Sequence, residues 1–334
     1  MDPQEHECGP GLDPGRVWRQ NKRVIRYLFH RLIVQALPTL FVLAVLSFLL
    51  VRLAPGSPFA SEKELPARTM EMLNRTYGLD DPIPVQFFRY VKGIVLHGDL
   101  GPSLKKPGHT VSELIAGALP VSLELGFWAL LYALAIGGTL GVGAAARPNG
   151  WGDHVAMSAA LVGVCVPGFV LGPLLALGFA LKLDWFPVVG WDSPADRILP
   201  VISLGSIYAA YIARLARGGM LEELSKDYVR TARAKGLSER EVVLKHALRG
   251  GVQPVVSFLG PAAAGLLTGA FVVEQIFQIP GMGRIIVNAA MNRDQFLVMG
   301  SVLLFGTLLV VFNTVSDLVL AWLNPRVRLR GEAS

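Results

Sequence analysis

The sequence predicts an all-α integral membrane protein with six membrane-spanning helices and both termini in the cytoplasm. Three observations carry this expectation. Apolar runs of membrane length recur six times along the chain. Charged residues make up only 17% of the 334 residues, against roughly 25% in a soluble domain, and mean hydropathy is +0.47. Lysine and arginine are concentrated in alternate connections between the runs, as they are when one side of a bilayer is cytoplasmic. The net charge of +6 is therefore read as membrane orientation rather than as nucleic-acid binding.

Residues 1–22 read as a disordered cytoplasmic extension, rich in proline and glycine and without an apolar run. Residues 23–53 hold a basic flank (Arg23, Arg26, Arg31) and the first span, Leu32–Val51. That run is too long for a signal peptide and lacks a small-residue cleavage site, so it is expected to stay as an anchor. Residues 54–116 form an extracytoplasmic region with two candidate amphipathic helices, Leu65–Tyr77 and Pro84–Leu96. In the second, Val85, Phe88, Val91 and Val95 fall near one face. That face either lies on the membrane surface or packs on the protein, and packing is the favoured reading.

Residues 117–323 form the core, with spans expected at Leu119–Ala146, His154–Leu181, Ile198–Leu215, Val252–Val273 and Phe296–Leu323. About 20 helical residues cross a hydrocarbon core of about 30 Å, and the longer runs leave room for tilt. Pro38, Pro167, Pro173 and Pro261 lie inside these runs and predict kinks within a packed bundle. Gly137–Gly141, Gly168–Gly172 and Gly265–Gly269 offer small-xxx-small surfaces for close helix approach. Residues 324–334 are a basic tail. Positive charge before the first span, after the second (Arg147), after the fourth and in the tail puts both termini inside.

No catalytic constellation emerges. The chain carries no phosphate-binding loop pattern, no metalloprotease motif and no nucleophile elbow. Its two cysteines, Cys8 and Cys165, and its six histidines are scattered, which predicts neither a disulfide framework nor a metal site. No catalytic, cofactor-binding or metal-binding residue is assigned. Glu124, Glu274 and Asp317 are the ionisable residues nearest the spans. All three sit toward span ends, where pairing or snorkelling explains them. A midplane nearly free of charge favours a machine driven by a partner over an ion-coupled carrier, which needs titratable groups at that depth.

The long polar connection, 218–250, stands apart. Lys226, Arg230, Arg233, Lys235, Arg240, Lys245 and Arg249 are too many cations for hydrocarbon, at roughly 2.5–3.5 kcal/mol each. Asp227–Lys235 is expected to be a short helix capped by Ser225 and stopped at Gly236. A second helix starts at Ser238, with Glu241 completing a capping-box pattern. Tyr228, Ala232 and Lys235 share a face, and Thr231, Ala232 and Ala234 are small enough to admit a partner surface. A helix–glycine–helix of this design reads as a docking element rather than a solvated loop.

The segment RTARAKGLSEREVVLKHAL (Arg230–Leu248) resembles the EAA loop of membrane subunits in binding-protein-dependent ABC importers. Arg230-Thr231-Ala232 stands for E-A-A, Gly236 is the glycine, and His246-Ala247-Leu248-Arg249 stands where I-x-L-P would be. These departures resemble the peptide-importer branch. VRLAPGSPF (Val51–Phe59), YGLDDPIPVQFFRYVKGIVLHGDLGPSL (Tyr77–Leu104), GPAAAGLLTGAFVVEQIFQIPGMG (Gly260–Gly283), NRDQFLV (Asn292–Val298) and NPRVR (Asn324–Arg328) point the same way and cover most of 24–328. The resemblance implies a six-helix type I importer permease fold in the bacterial inner membrane. It implies a heterodimer with a second, homologous membrane subunit, two cytosolic ATPase subunits that bind the ATP, an extracytoplasmic peptide-binding protein, and surrounding lipid. It also implies that this chain is not itself an enzyme and binds no cofactor. Tyr228, Arg230, Thr231, Ala232, Arg233, Ala234, Lys235 and Gly236 become the ATPase-coupling element, with Arg230, Ala232, Arg233 and Gly236 as its contact or geometry residues. Phe277–Gly283 becomes the outer loop before the last span. Oligopeptides are the implied cargo; dipeptides, nickel chelates and glutathione fit the same machine. A secondary carrier or channel is the alternative of another class.

Overall fold

In a computed structural model, the described residues are 31–53, 71–72, 75, 78–106 and 108–323. The expectations for the N-terminal extension, most of Leu65–Tyr77 and the 324–334 tail lie outside them.

All regular elements among the described residues are helical. The first span, Ile33–Leu53, opens with a π-helical turn, Arg31–Ala36, and continues as α1 (Leu37–Leu53). Helix α2 (Ile83–His97) starts on Pro84 near its N-terminus and stops at Gly98, which takes a left-handed φ of 63°. Its packing face is not the one expected. Gln86, Phe87, Tyr90 and Ile94 turn inward, where Tyr90 meets Phe48 and Met299, and Phe87 sits edge-on to both Phe41 and Phe48 of α1. Val85, Phe88 and Val95 are exposed, Phe88 at 70% and Val95 at 74%. The four-residue spacing was right, but the buried stripe is offset because Gln86 is drawn inward. Its amide donates to the Leu79 and Asp81 carbonyls at 3.0 and 2.6 Å, and its carbonyl accepts from Arg52.

Helix α3 (Val111–Ala146) runs 36 residues, about 54 Å at 1.5 Å per residue. It begins eight residues before the expected span because Thr110 and Glu113 form a reciprocal capping box. The third span was expected to be one kinked helix, His154–Leu181. Instead α4 (Trp151–Cys165) and the segment Gly168–Lys182 meet at an angle of 104°. Pro167 removes an N–H from the ladder and the chain turns there rather than bending gently. The second segment comprises α5 (Gly168–Leu175) and a π-helical continuation, Ala176–Lys182.

Helix α6 (Ile198–Leu224) was expected to end near Leu215. It continues nine residues further and carries Arg217, Glu222 and Glu223 into the polar connection. After that connection come α8 (Gln253–Ile276), α9 (Met282–Met291) and α10 (Gln295–Leu323), with α7 (Asp227–Ala234) described below. Among the described residues five helices are long and apolar enough to cross a membrane, and the bent pair makes a sixth if it is one span.

Helices α3 and α6 pack along each other through the expected glycine pair. A methyl group at Gly137 or Gly141 would collide with the carbonyls of Ala209 and Ala213, so only glycine permits this backbone approach. Leu125, Ala129, Leu199, Leu204, Leu266, Ala270 and Phe277 fill the core between α3, α6 and α8.

Candidate docking site

Helix α7 follows α6 after two residues and lies against its end. Val229 and Ala232 are its buried face, packed on Ala145 of α3, Met220 and Leu224 of α6, and Val242, Val243 and Ala247 of the helical run that follows. That run, residues 239–251, joins the α-helical turns Glu239–Glu241 and Leu248–Gly251 through a π-helical stretch, Val242–Ala247. Lys226 rather than Ser225 precedes the first helical residue and makes no side-chain cap. The Ser225 hydroxyl donates to the Glu222 carbonyl at 2.7 Å and closes α6. Ser238 caps the second run as expected: its Oγ accepts from the Glu241 N–H at 3.4 Å and donates to the Glu241 carboxylate at 3.1 Å. That hydroxyl and Lys245, which donates to Glu241 at 3.1 Å, hold the carboxyl below its usual range, Lys245 foremost.

Gly236 makes the turn between the helices with φ of +80°, and nothing lies within 4 Å of where a Cβ would stand. Its role is the left-handed backbone, not close approach. Across that turn Arg233 grips Glu239 with two hydrogen bonds of 2.8 and 3.2 Å, a fork-to-carboxylate pairing that fixes the angle of the hairpin.

The centre of the hairpin is Glu223, which sequence reasoning missed. Its carboxylate accepts from the Tyr228 hydroxyl at 2.5 Å and from Lys226 Nζ at 2.6 Å. A methyl group at Gly250 would strike this carboxylate, so the returning chain crosses directly over it. The Tyr228 hydroxyl also lies 3.3 Å from the His246 carbonyl. Burial, then the hydrogen bond and charge of Glu223, push the Tyr228 phenol up to about 12. The available sequence signal was a glycine pair, Gly250–Gly251, returning past a polar helix end. A second missed brace ties α4 to α6: Arg217 Nε and Nη2 bind both oxygens of Asp153 at 2.6 and 2.7 Å.

Of the eight residues expected in this element, Tyr228, Arg230, Thr231, Arg233, Ala234, Lys235 and Gly236 are exposed. Ala232 is not. It was expected to admit a partner surface, but its small side chain admits α7 onto the subunit's own core. Arg230 pairs only loosely with Asp227, at 3.6 Å. The outward face of α7 therefore presents Arg230, Thr231, Ala234 and the adjoining Lys235 on a rigidly mounted helix.

At the other end of the bundle the expected outer loop wraps a buried carboxylate. Glu274, 0% exposed, accepts from Ser122 Oγ at 2.6 Å and from the Gly283 N–H at 2.7 Å, while Ser122 accepts from the Met282 N–H at 2.8 Å. Glu124 is paired with Arg197 at 2.6 Å. Asp294, also missed, accepts from Ser103 Oγ at 2.5 Å and from the Leu104 N–H at 3.2 Å, tying the segment before α3 to the start of α10. The acidic groups placed near span ends are thus built into helix junctions, and Asp317 lies half-buried in α10. Among the described residues no three His, Cys, Asp or Glu side chains gather as a metal site.

Apolar helices of membrane length and a braced, polar helix hairpin outside them define a class: a multi-span membrane protein with an exposed helical element at one end of its bundle. A family model described as the binding-protein-dependent transport system inner membrane component matches residues 137–329. The model of its membrane component's N-terminal part matches 24–125. The oligopeptide transport system permease protein OppB of Haemophilus influenzae is 45% identical over 307 residues, covering 91% of this chain and 100% of the relative. OppB of Escherichia coli is 43% identical with the same coverage. The dipeptide transport system permease protein DppB of Bacillus subtilis is 41% identical, covering 91% of this chain and 98% of its own length. The chain belongs to the family of inner-membrane components of binding-protein-dependent transport systems. It is a multi-pass permease subunit of an ABC importer in the bacterial inner membrane.

Proposed function

We propose that this chain forms half of the translocation pore of an ATP-driven importer of oligopeptides. The observation that carries the cargo class is the 45% identity to an oligopeptide permease across that relative's whole length. Dipeptides are the second reading, favoured by the 41% identity to a dipeptide permease. A second, homologous membrane subunit completes the pore, and an extracytoplasmic peptide-binding protein delivers cargo. Both termini lie in the cytoplasm, together with two ATPase subunits that bind and hydrolyse the ATP.

In this reading α7 and Gly236 are the coupling element. Arg230, Thr231, Ala234 and Lys235 contact a groove on one ATPase, while Val229, Ala232 and the Glu223 brace transmit its movement into α6. A helix held at three points moves as a body, so closure of the ATPases rocks α6 and the bundle packed on it.

The test is uptake of labelled peptides of two to eight residues in cells with and without this gene, before and after depletion of ATP. Gene- and ATP-dependent uptake of peptides longer than three residues supports the oligopeptide reading. Loss confined to dipeptides selects the second reading, and no gene-dependent difference at any length overturns both.

A further inference from the structure

The break between α4 and α5 has a chemical consequence. A helix end leaves carbonyls, and a helix start leaves N–H groups, without intrahelical partners. Here the Val166 N–H returns to the Val162 carbonyl at 3.0 Å. The next step fails, because Pro167 has no N–H for the carbonyl of Gly163. On the far side Pro167 offers α5 no side-chain cap.

The break lies beside the middle of α6. Gly163 faces Ala210 and Ser206 of α6, and Gly172 faces Ser203. At 1.5 Å per residue, Ser203 and Ala210 stand about 8 and about 18 Å along α6 from Ile198, inside a helix of membrane-spanning length. Irregular backbone at that depth is tolerated only where protein buries it or where it lines a water-filled cavity, since hydrocarbon cannot satisfy its polar groups.

This subunit covers it only in part: Gly163, Val164, Val166 and Gly168 are half-buried, and the Gly168 carbonyl accepts from the Ser203 hydroxyl at 3.4 Å. Leu161, Val162, Cys165 and Phe169 around the break are exposed. A cleft of about 300 Å³ opens beside it, walled mostly by apolar side chains such as Ile136, Leu140, Val162 and Leu171, with Tyr132 and Ser206 as its polar side chains and the Gly163 backbone at its edge. In secondary transporters interrupted helices place their free backbone groups on the substrate route, and a peptide brings main-chain N–H groups that can meet a carbonyl in the same way whatever its sequence.

We infer that the Gly163–Gly168 break lines the aqueous path of the cargo, with the carbonyl end of α4 as a sequence-independent acceptor for a peptide main chain. This assignment rests on the importer reading above. It gives a pore subunit a way to hold peptides without reading their side chains, which suits cargo of varied sequence.

Cys165 is a native reporter at the break, and Cys8 is the one other cysteine in the chain. The experiment uses the Cys8→Ser chain in the complete importer, with cysteine-free partner subunits, in proteoliposomes. Cys165 is treated with a charged, membrane-impermeant methanethiosulfonate and, separately, with a lipid-soluble maleimide. Modification by the charged reagent, slowed at least five-fold by a saturating hexapeptide or by trapping the ATPases with vanadate, is the expected result. Reaction with the lipid-soluble reagent alone would put the break in lipid and overturn the inference. Reaction with neither, together with a cross-link from Cys165 to the second membrane subunit, would make it an interface and overturn it equally. The two readings fail separately: slowing by vanadate but by no peptide keeps the break on the path and removes the peptide cargo.

Discussion

The Tyr228 hydroxyl donates to Glu223 at 2.5 Å, and this one bond joins the exposed helix of the hairpin to the last turn of a membrane-spanning helix. Lys226 holds the other carboxylate oxygen at 2.6 Å. The carboxylate thus ties α7 and the residue before it to the end of α6.

Tyr228→Phe removes the donor while leaving the ring, at a cost of roughly 1 kcal/mol for a half-exposed hydrogen bond to a charged group. Transport is expected to fall several-fold while membrane insertion is unchanged. Glu223→Gln keeps an acceptor and is expected to be milder than Glu223→Ala, which frees both Tyr228 and Lys226. Uptake rates for the three variants check this order. The phenol also sets a pH window. Its folded value near 12 lies above the ordinary 10, so its contribution to stability is complete below pH 10 and is lost as pH rises toward 12. A spectrophotometric titration of wild type minus Tyr228→Phe should show one late-ionising phenol.

Gly236 separates two explanations of a hairpin glycine. With φ at +80° and open space beyond its Cα, a side chain costs only backbone strain, about 1–2 kcal/mol for most residues and less for asparagine. Gly236→Asn is expected to keep most transport and Gly236→Val to lose most of it. Equal loss in both would mean that the partner surface presses directly on this glycine.

Gly250 is the opposite case, because its φ is ordinary but a methyl group would strike Glu223. Gly250→Ala forces the carboxylate aside, and overpacking of this kind costs about 1–3 kcal/mol. Gly218→Ala, in open space on α6, is the matched control and is expected to transport normally. The thermal unfolding midpoint of the purified importer should drop for Gly250→Ala alone.

Asp153 and Arg217 form a two-bond pair between α4 and α6, so the single changes Asp153→Asn and Arg217→Gln each strand a charge in a confined setting. The double variant strands none. It is expected to assemble better than either single one, measured by recovery of the intact complex after detergent extraction.

The helical class and the positions of the spans were legible because hydrocarbon imposes one rule on every residue inside it, and twenty-residue apolar runs state that rule openly. The same bulk measure is blind to direction, so the 104° turn at Pro167 read as a kink. The hairpin was legible from Gly236 and Ser238, whose backbone roles are local. Its brace was not, because Glu223 belongs to the preceding helix and meets Tyr228, Lys226 and Gly250 only after the chain folds back. The stripe on α2 was misplaced for a related reason: the deciding contact, Arg52 with Gln86, links residues far apart in sequence and is polar, which apolar periodicity does not register.

Glu274 offers the sharpest test of how the end of the bundle opposite the hairpin is built. Its carboxylate meets three donors, Ser122 Oγ at 2.6 Å, the Gly283 N–H at 2.7 Å and the neighbouring Arg284 N–H. The second sits at the start of α9, where the helix dipole favours negative charge. Glutamine can satisfy only part of this arrangement. With its oxygen toward Gly283, its amide becomes a second donor to Ser122, which already accepts from Met282, and the serine proton loses its acceptor. One stranded buried donor costs about 1–3 kcal/mol. Glu274→Ala strands all three donors and opens a cavity, so it costs more. Ser122→Ala strands the Met282 N–H and leaves the carboxylate one donor short. The unfolding midpoint of the importer is therefore expected to fall in the order Glu274→Ala, then Glu274→Gln, and the Glu274→Gln/Ser122→Ala pair should be less than additive because both changes break one shared contact. Strict additivity would mean that the two residues act on α9 independently and that Ser122 and Glu274 share no contact that matters.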